Sequence, residues 1–205
     1  MITGMKFNEI KNHLARYTVG IAGAGGLGSN CAVALARSGI GRLVIADYDI
    51  VESSNLNRQY YFADQTGMKK TEALKDNLNR INPGLRIEVH DIKLSAYNIP
   101  IIYRDCDIIV EAFDSCQMKE MLAETVMCTW PQRPLVMGSG LAGYGKTNEL
   151  RERVIGNTLI ICGDEKTETS DELPPMAPRV GIVANMQANA VVEILMKSKN
   201  HEDKT

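Results

Sequence analysis

The sequence predicts an α/β protein with a doubly wound, Rossmann-like and mostly parallel sheet that ends in an antiparallel C-terminal edge. Apolar strand segments alternate with helical segments over residues 18–138, the pattern of a parallel sheet with helical crossovers. A glycine cluster directly after the first strand indicates a tight strand-to-helix turn. The glycine-rich stretch 139–145 then turns the chain toward two late strands, over 151–155 and 157–162, which we expect at the antiparallel edge.

Size and composition favour one globular domain over residues 1–205. The chain has 44% hydrophobic and 23% charged residues, and its net charge of −2 gives no reason to expect a nucleic acid or a membrane surface as a partner. It contains no apolar run of about 18 residues, the length of a membrane span. Residues 1–16 carry several charges and lack the apolar core of a signal peptide, so we expect a cytoplasmic protein.

The first half of the chain begins with a short amphipathic helix over 5–15. An apolar strand over 18–22 follows and leads into four glycines, after which a helix is expected over 29–37. The glycines are Gly23, Gly25, Gly26 and Gly28. In such a turn, glycine allows a sharp bend, close approach of the backbone to a phosphate, and tight packing of helix on strand. The free N–H groups at the start of the helix favour an anion.

The second strand, over 42–47, ends in Asp47, about 20 residues after the glycine turn. In dinucleotide-binding folds, a carboxylate at this place accepts hydrogen bonds from ribose hydroxyls. These two features predict a nucleotide site, with a glycine turn kept only for packing as the alternative. They do not specify the nucleotide, so an NAD-dependent oxidoreductase is compatible with them. Asp49 could be either a turn carboxylate or a group that supports the site.

Residues 48–67 form a polar stretch without regular periodicity, which in a compact domain is more often functional than not. The later elements follow from apolar periodicity and from the glycines and prolines between them. Helices are expected over 68–81, 115–128 and 181–197, a weakly helical segment over 95–103, and strands over 85–90, 107–111 and 134–138. Residues 163–178 are expected to form a mobile acidic crossover loop, and residues 198–205 a frayed tail.

A set of motifs in order along the chain resembles the ThiF/MoeB/HesA family, which shares its adenylating domain with the ubiquitin-activating enzymes. Besides the glycine turn and Asp47, the motifs that carry the resemblance are Asn55-Leu56-Asn57-Arg58-Gln59, Gly67-Met68-Lys69-Lys70, Asn82-Pro83 and Asp114. The resemblance covers nearly the whole chain. The stretch 179–189, together with the short length, looks most like the compact ThiF-type proteins of thiamine biosynthesis.

The resemblance implies an adenylyltransferase that uses ATP and Mg²⁺. Its substrate would be the C-terminal glycine carboxylate of a small ubiquitin-like sulfur carrier, here of the ThiS type. The carboxylate attacks the α-phosphorus of ATP and pyrophosphate leaves, which requires positioning and charge neutralisation more than proton transfer. The glycine turn would hold the phosphates, and Asp47 would hold the ribose.

The resemblance also assigns roles to five further side chains, three of them catalytic. Arg58 would bind phosphate through its planar guanidinium, and Lys70 would act there as a point charge. Asp114, past the end of a parallel strand, would hold Mg²⁺ between the phosphates. Asn55 and Gln59 would supply neutral hydrogen bonds near the triphosphate.

The three catalytic assignments have structural alternatives. Arg58 could instead pair with Asp64 on the surface. Lys70 could be an ordinary solvated helix lysine, and Lys69 could take its place at the phosphates. Asp114 could simply cap the helix that follows it.

The five cysteines, Cys31, Cys106, Cys116, Cys128 and Cys162, are scattered and never form a C-x-x-C pair. We therefore expect neither a disulfide framework nor the zinc site of longer relatives. Cys31, Cys106 and Cys128 fall on apolar segments, and Cys162 is expected to be a buried thiol at the end of a strand. The acidic crossover loop, where relatives often place a reactive cysteine, has none, so the sulfur is expected to come from a separate donor.

Many relatives carry an N-terminal Arg-Tyr motif whose arginine reaches the ATP of a partner subunit. Here Arg16-Tyr17 directly precedes the first strand, too close to be the same element, so the sequence allows a homodimer without implying one. Two other functions are compatible with the motifs: a non-catalytic binding module, and adenylation of a different acyl substrate, such as one in tRNA modification or a peptide end.

Overall fold

The computed structural model describes residues 5–198, and a seven-stranded sheet forms its centre. The strands are β1 (Thr18–Ala22), β2 (Arg42–Asp47), β3 (Arg86–Asp91), β4 (Ile108–Glu111), β5 (Leu135–Gly138), β6 (Arg151–Ile155) and β7 (Leu159–Gly163). Their order in the sheet is β3-β2-β1-β4-β5-β7-β6. All neighbouring strands are parallel except β6 and β7, which pair antiparallel. The predicted Rossmann-like class with an antiparallel C-terminal edge is confirmed.

Six α-helices connect and cover these strands within the described part of the chain. They are α1 (Phe7–Leu14), α2 (Gly26–Ser38), α3 (Lys70–Ile81), α4 (Ile99–Ile102), α5 (Cys116–Thr129) and α6 (Ala177–Lys197). The polar stretch between β2 and α3 contains two short 3₁₀ turns, Ser53–Asn55 and Ala63–Gln65. No helix in residues 5–198 is long and apolar enough to cross a bilayer.

Strand β1 is the central element, and all five of its residues are buried. Its alternate side chains pack on opposite faces of the sheet, so that Val19 and Ile21 lie in the apolar layer that includes α2 and α6. Ala22 packs in the layer on the other face, around Tyr103 and Ile109. The chain winds from β1 to β2 on one side and returns to place β4 on the other, which makes this point the topological switch of the sheet. Open α/β sheets bind ligands at the carboxyl ends of the strands that meet there.

Two helices begin before the residues at which periodicity predicts them. Helix α2 begins at Gly26, because Gly26 and Gly28 adopt helical conformations despite their low helix propensity. Helix α6 begins at Ala177, and Pro178 occupies its first turn, where a missing N–H costs nothing. In the weakly helical region only Ile99–Ile102 is helical.

The crossover loop is attached to the rest of the protein at both of its ends. Asp164 is 3% exposed, and the N–H of Gly143 donates to the carbonyl of Pro174 at 2.9 Å. The expected mobility of this loop stays a prediction. Of the predicted frayed tail, the structure describes only Ser198. Residues 199–205 lie outside the described residues.

Candidate functional site

The glycine turn joins β1 to α2 and requires two of its glycines for packing. Gly23 has a φ of +100°, and a Cβ there would lie 2.9 Å from the carbonyl oxygen of Ala112. A Cβ on Gly28 would lie 1.9 Å from the carbonyl oxygen of Gly23. Gly25 is different, because the nearest atom to a Cβ there would be Nε2 of Gln59 at 3.9 Å. Packing therefore accounts for Gly23 and Gly28, while Gly25 leaves its backbone open to a ligand.

Asp47 is fixed at the turn by two backbone hydrogen bonds. Its Oδ2 accepts from the N–H of Ala24 at 2.6 Å, and its Oδ1 accepts from the N–H of Asp49 at 2.8 Å. Each carboxylate oxygen can accept a further hydrogen bond, and the side chain is partly exposed. The carboxylate is thus oriented at the end of β2 as a ribose contact requires, and that contact stays a prediction.

Helix α2 holds the segment that carries Arg58 and Gln59. Asn30 donates from Nδ2 to the carbonyl of Arg58 at 2.9 Å, and Ser29 accepts from the N–H of Tyr60 at 2.9 Å. Asn55 supports the same segment from within, since its carbonyl accepts from the N–H of Gln59 at 2.9 Å. The side chain of Asn55 accepts from the backbone of its own turn, so it also stabilises the local fold.

Arg58 lies over the glycine turn, with its stem 3.6 Å from the position of a Cβ on Gly26. Its Nη1 donates to Oδ1 of Asn57 at 2.8 Å and to the carbonyl of Ser54 at 3.3 Å. Among residues 5–198 it forms no salt bridge, so the alternative of a surface pair with Asp64 is wrong. The remaining guanidinium donors are available to a phosphate.

Gln59 is buried, with 9% exposure, and its Oε1 has no hydrogen-bond partner. An unsatisfied buried polar group costs about 1–3 kcal/mol, unless a ligand or water completes it. The amide lies next to Gly25 and can turn to present either its donor or its acceptor. The hydroxyl of Thr71, the residue after Lys70, is also buried without a hydrogen-bond partner. These features fit a bound polar ligand at this edge.

Lys70 is buried, with 6% exposure, and its Nζ donates to Oδ2 of Asp49 at 2.7 Å. The alternative of a solvated lysine is therefore wrong for Lys70. It describes Lys69 instead, whose side chain is 57% exposed and pairs with Asp91. Tyr61 ties Lys70 to the glycine turn, because its hydroxyl lies 2.7 Å from the carbonyl of Ala24 and 3.3 Å from that of Lys70.

Asp114 is exposed just beyond β4, at the same edge of the sheet as the glycine turn. Within residues 5–198 its side chain has neither a hydrogen bond nor an ion pair. Ser115, not Asp114, caps α5, and its Oγ accepts from the N–H of Met118 at 3.5 Å. The capping alternative is therefore wrong, and the carboxylate is free to bind a cation.

Sequence reasoning missed the buried pair that fixes the loop carrying Asp114. Glu111 is fully buried, and it accepts from Nζ of Lys119 at 2.8 Å and from the N–H of Phe113 at 2.6 Å. Burial raises the pKa of Glu111, and Lys119 opposes this increase without cancelling it. A glutamate at the end of an apolar strand was the available signal, since such a residue needs a partner when buried.

A second buried pair, also missed, joins the crossover loop to α6. Arg179 donates from Nη2 to Oδ2 of Asp164 at 2.5 Å and from Nη1 to the carbonyl of Gly145 at 2.6 Å. Gly140 is required here, because a Cβ would lie 2.0 Å from Oδ1 of Asp164. The pair connects the end of β7 to the first turns of α6, whose Val180 packs against Gly26 of the glycine turn.

Three cysteines are buried, as expected for Cys31, Cys106 and Cys162. Burial raises the pKa of Cys31, and it raises those of Cys106 and Cys162 to about 12. Cys116 and Cys128 are exposed, so the expectation that Cys128 is buried is wrong: its position near the end of α5 faces solvent. In the part of the chain that the structure describes, no three His, Cys, Asp or Glu residues group as metal ligands.

Comparisons with known proteins identify the family and the fold of this chain. The family model of the ThiF family matches residues 4–205. The adenylyltransferase and sulfurtransferase MOCS3 of Anopheles gambiae is 36% identical over 193 residues, which are 91% of this chain and 43% of that protein. Ubiquitin-like modifier-activating enzyme 5 of Drosophila persimilis is 43% identical over 104 residues, 50% of this chain and 26% of that protein. The chain thus spans less than half the length of these curated relatives.

Two solved structures from E. coli share the fold. The tRNA N6-threonylcarbamoyladenosine dehydratase TcdA, solved in complex with AMP, superposes with a TM-score of 0.82 at 21% identity and covers 91% of this chain and 89% of its own. MccB, solved with AMPCPP and MccA, superposes with a TM-score of 0.71 at 25% identity and covers 92% and 58%. On the match to nearly its full length, this chain belongs to the ThiF family.

Proposed function

We propose that this chain catalyses the ATP-dependent adenylation of the C-terminal glycine of a small ubiquitin-like sulfur carrier, of the ThiS type that serves thiamine thiazole formation. The observation that carries the proposal is the group of incompletely satisfied polar side chains around Gly25. Gln59 lies beside Gly25 with an unpartnered oxygen, and Lys70 is buried with a single carboxylate partner, Asp49, which hydrogen bonds link to the turn through Asp47. Both features suit the phosphates of a nucleotide and have no role in a turn kept only for packing.

Each residue has a definite task in this reaction. An oxygen of the carrier's carboxylate forms a bond to the α-phosphorus, and the bond from that phosphorus to pyrophosphate breaks. Arg58 and Lys70 neutralise charge on the phosphates, and Asp47 accepts from the ribose hydroxyls. Asn55 keeps its segment in place, and Gln59 completes its hydrogen bonding on the nucleotide. No proton transfer is needed, so fixed charge and orientation supply the catalysis.

Asp114 would hold Mg²⁺ together with phosphate oxygens. Its exposed and unpartnered carboxylate is the type of hard oxygen ligand that this ion prefers, and Mg²⁺ is commonly held by one or two carboxylates plus substrate phosphates. The ion would neutralise negative charge that develops on the leaving pyrophosphate. Zinc is not part of the proposal, and elemental analysis of the purified protein is expected to show less than one equivalent.

Sulfur would come from a separate donor, because the cysteines give no obvious nucleophile. Burial holds the pKa values of Cys106 and Cys162 at about 12, where the thiolate is scarce at neutral pH. Cys116 is exposed but follows the carboxylate of Asp114 by two residues. Separate Cys116→Ser and Cys162→Ser variants should form carrier thiocarboxylate normally with a donor present. Loss of thiocarboxylate with adenylation intact would instead identify a working nucleophile.

The printed names of the relatives define the competing substrates. MOCS3 is named as both an adenylyltransferase and a sulfurtransferase, another relative activates a ubiquitin-like modifier, and MccB was solved with the peptide MccA. Pyrophosphate exchange distinguishes these cases, with a panel of ubiquitin-like carriers tested with and without the C-terminal glycine. We expect exchange with a ThiS-type carrier only when its glycine is present.

The controls separate adenylation from the other functions. Asp114→Ala should abolish exchange at an unchanged melting temperature, because the side chain is exposed and forms no hydrogen bond or ion pair within residues 5–198. Stabilisation by Mg·ATP without exchange on any carrier or peptide would indicate a non-catalytic module. A larger thermal shift with NAD than with Mg·ATP would indicate an oxidoreductase. A homodimer stays a prediction, which sedimentation of the purified protein would test.

A further inference from the structure

The pairing of Lys70 with Asp49 goes beyond the roles assigned above. We propose that Asp49 is a positioning residue, which holds the Lys70 ammonium in a fixed orientation before the nucleotide arrives. This inference rests on the proposed function, in which Lys70 binds the phosphates of ATP. It concerns a residue that makes no contact with the reacting atoms itself.

Two hydrogen bonds join Asp49 to Lys70. Nζ of Lys70 donates to Oδ2 of Asp49 at 2.7 Å, and the N–H of Lys70 donates to the carbonyl of Asp49 at 2.9 Å. The Lys70 side chain is 7% exposed, whereas that of Asp49 is 49% exposed. The lysine therefore lies against the protein, and its partner reaches it from the open side.

A buried ammonium group requires a counter-ion, since removal from water is costly for an unpaired charge. Asp49 is the one carboxylate that pairs with Lys70 in residues 5–198. Without it, the flexible side chain would swing toward solvent, and the phosphates would lose a fixed positive charge. Holding a long side chain in its binding geometry beforehand also lowers the entropy cost of binding.

Asp49 is itself connected to the other end of the nucleotide site. Its N–H donates to Oδ1 of Asp47, and Oδ2 of Asp47 accepts from the N–H of Ala24 in the glycine turn. One series of hydrogen bonds thus runs from the turn through the predicted ribose carboxylate to the predicted phosphate lysine. The position of Lys70 is set relative to the rest of the site.

The adjacent residue supplies a matched control. Lys69 pairs with Asp91, but its side chain is 57% exposed and that of Asp91 is 33% exposed. The same Asp-to-Asn substitution can therefore be made at a pair that positions a buried lysine and at a pair that does not. Asp49→Glu restores the charge at a changed length.

The experiment measures the dissociation constant of ATP by calorimetry for the wild type, Asp49→Asn, Asp49→Glu and Asp91→Asn. The expected dissociation constant rises about tenfold in Asp49→Asn, is partly restored in Asp49→Glu, and changes less than about twofold in Asp91→Asn. Melting temperatures without nucleotide report whether each variant is folded. In a Lys70→Met background, Asp49→Asn should weaken ATP binding no further, because its effect acts through the lysine.

The outcomes distinguish this inference from the proposed function. Equal ATP affinity in wild type and a folded Asp49→Asn variant would overturn the positioning role, as would a full effect of Asp49→Asn in the Lys70→Met background. Failure of pyrophosphate exchange in a wild type that binds ATP would overturn adenylation but not the positioning of Lys70. Absence of ATP binding to the wild type would overturn both.

Discussion

Two cation–carboxylate pairs in this protein, Arg179–Asp164 and Lys70–Asp49, differ in how far their carboxylates are enclosed. Asp164 is 3% exposed and accepts hydrogen bonds from Arg179, from the N–H groups of Lys166 and Thr167, and from the Thr167 hydroxyl. Asp49 accepts only from Lys70 at its carboxylate and is half exposed. The carboxylate of the first pair is enclosed by its donors, although Nε of Arg179 is buried without a partner, whereas the carboxylate of the second pair is open to solvent on one side.

The difference in enclosure indicates that the Arg179–Asp164 pair is structural, whereas the Lys70–Asp49 pair can still accept a ligand. Burial alone would raise the pKa of Asp164, but the hydrogen bonds from Thr167, Lys166 and Arg179 outweigh burial and lower it. A carboxylate satisfied in this way fixes two loops to α6 and has no capacity left for another group. The Lys70 pair stabilises the fold less completely, and that incompleteness is what a phosphate can use.

The largest expected effect is at the closed pair. Asp164→Asn leaves the Arg179 guanidinium buried without a counter-charge, and breaking such a pair typically costs about 3–5 kcal/mol of unfolding free energy. Urea unfolding followed by circular dichroism measures this loss. Glu165→Gln is the neighbouring control, since Glu165 pairs with Arg153 at the surface, and its midpoint should change little. Similar midpoints in both variants would mean that the closed pair is not structural.

A smaller effect, on catalysis and not on folding, is expected at Arg58. Arg58→Ala removes a fixed charge over the glycine turn and should lower the rate of pyrophosphate exchange about 100-fold, the usual loss for one preorganised stabilising group. The unfolding midpoint should remain close to that of the wild type, since Arg58 contacts only Asn57 and Ser54 through its guanidinium. Near-normal exchange would show that Arg58 is an ordinary surface residue.

The pH dependence of the unfolding free energy should also show the contribution of the Asp164–Arg179 pair. Because the folded-state pKa of Asp164 is lowered, its contribution is complete above the ordinary aspartate value of 3.8 and is lost as the pH falls from there through the folded-state pKa. Asp164→Asn should therefore lose less stability than the wild type over that acidic range. Parallel curves for the two proteins, in unfolding measured from pH 5 downward, would contradict the lowered pKa.

The smallest effect is expected at the exposed pair next to the site. Lys69→Met removes the partner of Asp91 and should change the unfolding free energy by at most about 1 kcal/mol, because exposed ion pairs contribute little. The same pair weakens further in salt, so its effect should shrink at high ionic strength. If Lys69→Met lowered the unfolding free energy as much as Asp164→Asn does, exposed and enclosed pairs would not differ in their contribution to stability.

Local pattern predicted much of this fold and of its site. The alternation of apolar strand segments and helical segments around Gly23 predicted β1, the glycine turn and β2. Asp47 lies at the end of β2, as predicted. These features are encoded by neighbours in sequence: periodicity, glycine conformation and strand length. The order of the motifs along the chain also identified the family before any geometry was known.

The parts that could not be predicted depend on contacts between distant segments. The resemblance favoured Lys70 over Lys69, but the burial of Lys70 and its pairing with Asp49, 21 residues earlier in the chain, are not visible in the local sequence. Arg179 and Asp164 come from different ends of a long loop, so neither has a visible partner in the sequence. The start of α2 was missed because Gly26 is helical despite its low helix propensity, whereas Pro178 at the start of α6 follows the preference of proline for a first helical turn.

The central place of β1 has a consequence for synthesis of the protein. The chain emerges from the ribosome N-terminus first, so β1, β2 and β3 can pair in succession as they appear. The other side of β1 must wait for β4, and the N–H of Thr18 reaches Oδ2 of Asp107 only then. Until that point β1 is the edge strand of the nascent sheet, with one side unpaired, the kind of edge to which other chains can add. Asp114 lies just beyond β4, so the same event that closes this edge brings the carboxylate proposed to hold Mg²⁺ to the edge of the sheet that carries the glycine turn.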